Sequence, residues 1–187
     1  MPDAMDTVLD RPWTTETFLA WEDWQEGKYE FDGQGVIPLT GSSRVHQDIV
    51  FNLRGVLGRI LAERSFRVGQ AMRLRIGDRV RYPDVVVCAG PFHQTTRTIT
   101  DAAAIFEVLS DDAATTDRIE KLLDYTAVPS LRAYVLLEQA AVAATLFQRE
   151  PGGPWIATAH TAGEFVLPGI GISLLLAELY QGLTFSA

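Results

Sequence analysis

Lysine is nearly absent from this chain. Of sixteen basic residues only Lys28 and Lys121 are lysines, so arginine carries the positive charge elsewhere. Arginine does not readily give up a proton, whereas lysine is a compact donor whose pKa moves with its surroundings. Lys121, in "DRIEK", stands out for that reason. Cysteine is scarcer still: Cys88 alone excludes an internal disulfide and reads as a small core residue in a reducing, cytoplasmic setting. The three histidines, His46, His93 and His160, lack zinc-ligand spacing. No GxxxxGK(S/T) phosphate loop, HExxH, CxxC pair or GxSxG elbow is present. No apolar run suits a membrane span, because "FVLPGIGISLLLAELYQGL" is broken by Pro168, Gly169, Gly171 and Glu178. It reads as a strand plus a short amphipathic helix. "MPDAMDTVLDRPW" has neither a basic start nor an apolar block, so no signal peptide is expected.

What is present suits one domain over residues 1–187, since 187 residues at 47% hydrophobic can bury a sizeable core. The net charge of -8 argues against passive coating of nucleic acid. Yet nine arginines between Arg44 and Arg81 face only Asp48, Glu63 and Asp78. Such a local cationic excess is either a solvated helix face and strand edge or a phosphate-facing patch.

The pattern predicts a first helix in "TTETFLAWEDWQE", N-capped by Thr14 or Thr15 with a glutamate about three residues on. Tyr29 to Leu39 predicts a hairpin turning at Asp32-Gly33. Ser43 opens a long helix whose apolar stripe is Ile49, Val50, Leu53, Val56, Leu57, Ile60 and Leu61. "FRVGQAMRLRI" and "RYPDVVVCAG" read as two strands joined at Gly77-Asp78, then a polar loop runs from Pro91 to about Asp101. "AIFEVLS" is a third strand, and "TTDRIEKLLDYTAV" is a helix with Ile119, Leu122 and Leu123 inward. "LRAYVLLEQ", "VAATLFQRE" and "WIATAHT" follow as strands. The order indicates a mixed α/β or α+β sheet domain.

Two carboxylates, Asp84 and Glu107, sit on these apolar strands. A strand buried on both faces has no structural use for an unpaired acid, so two such acids ask for a common partner. Mg²⁺ suits one or two carboxylates and keeps waters for a phosphate. Alternatively, each acid caps a loop or pairs with an arginine.

"YEFDG", His46, "YPDVVV", "FEVLS", "DRIEK" and Tyr125 occur in the order and approximate spacing of the Uma-two family. That family, described as restriction endonucleases, is a branch of the PD-(D/E)XK nuclease superfamily. The resemblance covers roughly 29–138, leaving a C-terminal β extension over about 139–187. It implies a restriction-endonuclease-like αβββαβ core with a mixed central sheet, an N-terminal hairpin and extra C-terminal strands. It also implies Mg²⁺, or Mn²⁺, on Asp84 and Glu107, with the Val108 carbonyl as a further ligand. The third position of "E-x-K" is Leu109 here, and in this branch the lysine role is thought to move to the following helix, which means Lys121. The motif also points Glu30 toward the site, as an extra ligand or water-holder; a solvated hairpin acid is its other reading. His46 is either a phosphate contact, an orienter of a site carboxylate or a surface histidine. Asp117 and Lys121 form, at their simplest, an i,i+4 pair, and Tyr125 reads as packing. Two further departures are Gln34, where relatives carry an acid, and Ser110-Asp111-Asp112 in place of "SP-S-T".

The expected activity is metal-dependent hydrolysis of DNA phosphodiesters. The arginines of the cationic run, Arg73, Arg75 and Arg81 among them, would grip the phosphate backbone without reading sequence. The rival is a nuclease-fold protein that has lost catalysis and serves as a binding or assembly module; a third reading is a metal-dependent hydrolase of smaller substrates. No membrane is expected as a partner. A two-fold homodimer is expected, with Trp13, Trp21, Trp24 and Trp155 as interface or core.

Overall fold

The computed structural model describes residues 12–90, 93, 95–109 and 115–185. In chain order the first half contains α1 (Thr15–Glu22), β1 (Tyr29–Phe31), β2 (Val36–Pro38), α2 (Arg44–Ile60), β3 (Phe66–Gln70), β4 (Arg73–Ile76), β5 (Arg79–Arg81) and β6 (Val85–Ala89). There follow β7 (Thr98–Ile99), β8 (Ala104–Val108), α3 (Thr115–Thr126), β9 (Ala133–Leu137), β10 (Ala144–Gln148) and β11 (Ile156–His160). The chain closes with β12 (Glu164–Leu167), a 3-10 turn at Pro168–Ile170, β13 (Ile172–Leu175) and α4 (Leu176–Leu179).

Ser43 caps α2 by accepting the His46 backbone N–H at 3.1 Å. Its apolar stripe is buried as expected, with only Ile60 left partly open. That stripe covers one face of a six-stranded sheet in the order β11-β10-β9-β8-β6-β3, in which only β8 and β9 run parallel. β6 alternates as a strand covered on both faces must. Val85 and Val87 join the cluster under α2, while Val86 and Cys88 join the one holding Tyr125, Val128 and Leu131 at the end of α3. The αβββαβ core is therefore α2, β3, β6, β8, α3 and β9. β10 and β11 extend the sheet, and the β12–β13 hairpin and α4 pack into the α2 layer.

The structure departs from the sequence reading at several points. The strand read from Arg81 to Gly90 divides into the end of β5 and β6, in different sheets, and β7 lies within the segment read as a polar loop. The stretch from Phe66 to Ile76 is two strands rather than one: β3 pairs with β6, whereas β4 pairs with β5 in a second, five-stranded sheet, β2-β1-β5-β4-β7. The break falls at Ala71, whose φ of 46° is left-handed and carries a strain of about 1–2 kcal/mol for a residue with a Cβ. Lys28 Nζ donates to the Ala71 carbonyl at 2.7 Å, and Ala71 N–H donates to the Asp84 carbonyl at 3.1 Å. Gly69 leaves room for Met72 to fold back, since a Cβ there would stand 2.5 Å from the Met72 sulfur. In α1 the capping box is completed by Thr17, not a glutamate, and Glu16 pairs with Arg75 instead. On α3, Ile119 and Leu123 point outward at 53% and 64% exposure. The C-terminal segment is a two-stranded hairpin before its one-turn helix.

Trp13 and Trp21 pack edge to face, Trp155 lies under the Arg149 guanidinium, and Trp24 is exposed. Among the described residues no helix is long and apolar enough to cross a membrane.

Candidate active site

Pro83 has no N–H to give a sheet ladder, so pairing stops there and Asp84 stands at the mouth of β6. Its side chain accepts the Val108 backbone N–H at 2.8 Å on Oδ2, and Oδ1 lies 3.0 Å from His46 Nε2. In the tautomer that carries a proton on Nε2, His46 donates to it, so both carboxylate oxygens are oriented. His46 thus reaches the Asp84 carboxylate from the first turn of α2.

Glu107 lies one position along from the β6–β8 pairing of Val85 with Phe106, so it comes opposite Asp84 across the strand pair. Side chains at such positions have Cβ atoms roughly 4.5–5.5 Å apart. Glu107 is buried, accepts the Tyr125 hydroxyl at 2.6 Å, and has Lys121 Nζ 3.8 Å from Oε1. Burial, aided by the Asp84 charge and opposed by the Lys121 ammonium, pushes its carboxyl up to about 8. Lys121 is raised in turn, chiefly by the Glu107 charge, so it is a proton-bearing donor rather than a base. Burial likewise raises Tyr125, which keeps its hydroxyl protonated against Glu107.

Glu30 enters from the second sheet. β1 places it 2% exposed, accepting from Arg81 at 3.1 Å and from the Tyr82 backbone N–H at 3.0 Å, with Lys121 Nζ 3.9 Å away. Asp117 Oδ2 is 4.0 Å from the same ammonium. Lys121 therefore leans into the site as much as along its own helix. The apolar side chain of Leu109 is buried where the motif lysine would stand, while its N–H continues the sheet to Leu137 at 2.8 Å.

The arginines correct the sequence reading. Arg81 is completely buried and bonds Asp124 at 2.8 Å as well as Glu30, so it cannot face a phosphate. Arg73 is held by Glu22 and Asp23, both at 2.8 Å, and Arg75 by Glu16 at 2.7 Å. Arg81 and Arg73 thus neutralise the buried acids Glu30, Asp124 and Glu22, whereas Arg75 meets the exposed Glu16 at the surface. Asp124, which binds Arg79 and Arg81, was not among the residues singled out from the sequence, and Tyr125, read there as packing, bonds Glu107 through its hydroxyl. Their signal was their spacing from Lys121, three and four residues on, which shares one helical face. Gln34 is an exposed turn residue whose N–H is accepted by Asp32, and Ser110, Asp111 and Asp112 lie outside the described residues.

Asp84 and His46 open on a groove of about 450 Å³ along α2. Glu107, Val108 and Lys121 line a smaller cavity of about 60 Å³ under α3. Hard oxygen donors are the right chemistry for Mg²⁺ or Mn²⁺, and Asp84 and Glu107 supply them from neighbouring strands. Among the described residues no three His, Cys, Asp or Glu side chains cluster as metal ligands. Two carboxylates completed by a backbone carbonyl and water fit that constraint.

Residues 15–176 match the model of the Uma2 (Uma-two) family, described as "Putative restriction endonuclease". This chain belongs to the Uma2 family. An uncharacterized protein of Synechocystis sp. is 30% identical over 176 residues, covering 91% of this chain and 92% of the relative. A second uncharacterized protein of that organism is 30% identical over 151 residues, 78% of this chain and 85% of its own. A crystal structure from Anabaena variabilis, described as a "putative nuclease belonging to DUF820", superposes with a TM-score of 0.74 at 17% identity. It covers 90% of this Uma2 chain and 97% of its own, and shows that the two share a fold.

Proposed function

We propose that this Uma2 protein is a divalent-cation-dependent endonuclease that hydrolyses DNA phosphodiester bonds at Asp84, Glu107 and Lys121. The observation that carries the reading is the reach of Lys121 from α3 to Glu107, which supplies an ammonium where Leu109 breaks the motif. Asp84 and Glu107, with the Val108 carbonyl, would hold Mg²⁺ or Mn²⁺. The bound ion supplies a polarised phosphate and a more acidic water.

The chain's own residues do the rest. His46 and the Val108 N–H aim the Asp84 carboxylate. Tyr125 fixes the rotamer of Glu107. Lys121 donates to the oxygen on which charge develops, a contribution of about 10²–10³ in rate for one well-placed donor. Glu30, held by Arg81, keeps Lys121 charged and in place. A binding module without catalysis remains the second reading, favoured by the locking of Arg73 and Arg81 into ion pairs with the buried acids Glu22, Glu30 and Asp124.

Calorimetric titration of Mn²⁺, followed by cleavage assays on duplex, single-stranded and branched DNA, separates the two. Wild type should bind Mn²⁺ and cleave, while Asp84→Ala and Glu107→Ala should do neither. Lys121→Ala should still bind Mn²⁺ but cleave about 10²–10³ more slowly. A wild type that takes up no Mn²⁺ would leave the binding module as the function.

A further inference from the structure

We infer that Phe51, Arg54 and Gln70 form a stacking subsite for an unpaired nucleobase beside Asp84, so that the substrate is single-stranded or branched DNA. The inference rests on the nuclease reading of the Asp84 site and names its substrate class.

Gln47, Phe51 and Arg54 recur at spacings of four and three along α2 and so share one helical face. That face lines the groove in which Asp84 and His46 lie. Its volume of about 450 Å³ falls in the range that holds small molecules, about 300–1,000 Å³. Phe51 is 78% exposed, although the helix has a complete apolar stripe without it. The ring is therefore not packing for the fold. Arg54 is exposed and donates to Gln70 Oε1 at 2.8 Å; among the described residues it bonds no carboxylate. This distinguishes it from Arg73, Arg75 and Arg81, each of which is paired with a carboxylate. Asp48, the other acid of the groove, is matched by Arg44 at 2.9 Å.

An open aromatic face, a guanidinium without an acid and an amide that steadies it are the elements of single-strand recognition. Bases stack on the ring and the backbone follows the cation. Continuous duplex keeps its bases inside the stack, out of reach of a ring on a helix surface. Flaps, gaps and single strands present them.

The test is fluorescence anisotropy with a fluorescein-labelled oligothymidylate and a duplex of equal length, in Ca²⁺, using Phe51→Ala, Phe51→Leu and Phe51→Tyr. Because Phe51 fills no core space, the variants should fold and melt as wild type does. Phe51→Ala and Phe51→Leu should weaken single-strand binding by about tenfold and Phe51→Tyr by no more than about twofold, with duplex binding unchanged. Equal single-strand binding by all four proteins, or equal weakening on both DNAs, would overturn the subsite. So would an altered sedimentation coefficient of Phe51→Ala with DNA binding intact, which would put a second copy of the chain on the ring. Mn²⁺ calorimetry on the same samples separates the two failures. Normal Mn²⁺ binding without dependence on Phe51 removes the base subsite alone. Dependence on Phe51 without Mn²⁺ binding keeps the subsite and removes the nuclease reading.

Discussion

Glu107 is the residue on which the electrostatics of the site turn. Its carboxyl ordinarily titrates at 4.5 but is pushed up to about 8 in the fold, first by burial and then by Asp84. A folded-state pKa above the unfolded value means that the native state holds the proton more tightly. The associated stability is complete below pH 4.5 and is lost as pH rises toward 8. In EDTA, the melting temperature of wild type should therefore fall across that window by more than that of Glu107→Gln, which cannot ionise. Differential scanning calorimetry at several pH values measures the difference, and parallel curves would mean that Glu107 titrates normally. At this scale the acids were legible in the sequence, because a carboxylate on an apolar strand is conspicuous. The bond of Tyr125 to Glu107 was not: a tyrosine at helical spacing looks the same whether its hydroxyl meets water or Glu107.

At the scale of elements, α3 shows where periodicity misleads. Ile119, Leu122 and Leu123 suggest an apolar inner face, yet the helix turns Lys121, Asp124 and Tyr125 inward and leaves Ile119 and Leu123 in solvent. The reason is Arg81. A completely buried guanidinium needs carboxylates, and Asp124 from α3 and Glu30 from β1 supply them. Removing one partner of a buried ion pair leaves the other uncompensated, at a cost of about 3–5 kcal/mol. Urea denaturation of Arg81→Met should show a loss of that size. Leu123→Gln, at an exposed position, should stay within about 0.5 kcal/mol of wild type. A large loss in Leu123→Gln would mean that the outer face of α3 is covered in solution.

At the scale of the molecule, the site lies where two sheets meet. The long hairpin bends at Ala71 and Asp84, so its inner half joins the central sheet with Asp84 and its outer half carries Arg81 beside Glu30. Lys121 reaches across that junction to Glu107 on one side and Glu30 on the other. The charge of -8 and the acids at the junction repel a polyanion unless a cation intervenes. DNA binding measured by anisotropy should accordingly be weak in EDTA and strengthen on adding Ca²⁺, with Asp84→Ala losing most of the gain. Equal binding with and without Ca²⁺ would mean that DNA is held away from the carboxylates.

Local chemistry sufficed for much of this protein. The caps, the α2 stripe, the hairpin turns and the apolar run behind Asp84 follow from spacing and residue type, because each involves neighbours within a few positions. The ordered motifs indicated the family and the core topology. Tertiary structure alone decided which charges cancel. Nine arginines look like a phosphate-binding surface in one dimension, but the acids that neutralise Arg73, Arg75 and Arg81 come from positions 16 to 30 and from 124. Charge pairing depends on distance in space. The rotation of α3, the bend at Ala71 and the freedom of Arg54 and Phe51 beside Asp84 exist only once the two sheets have met.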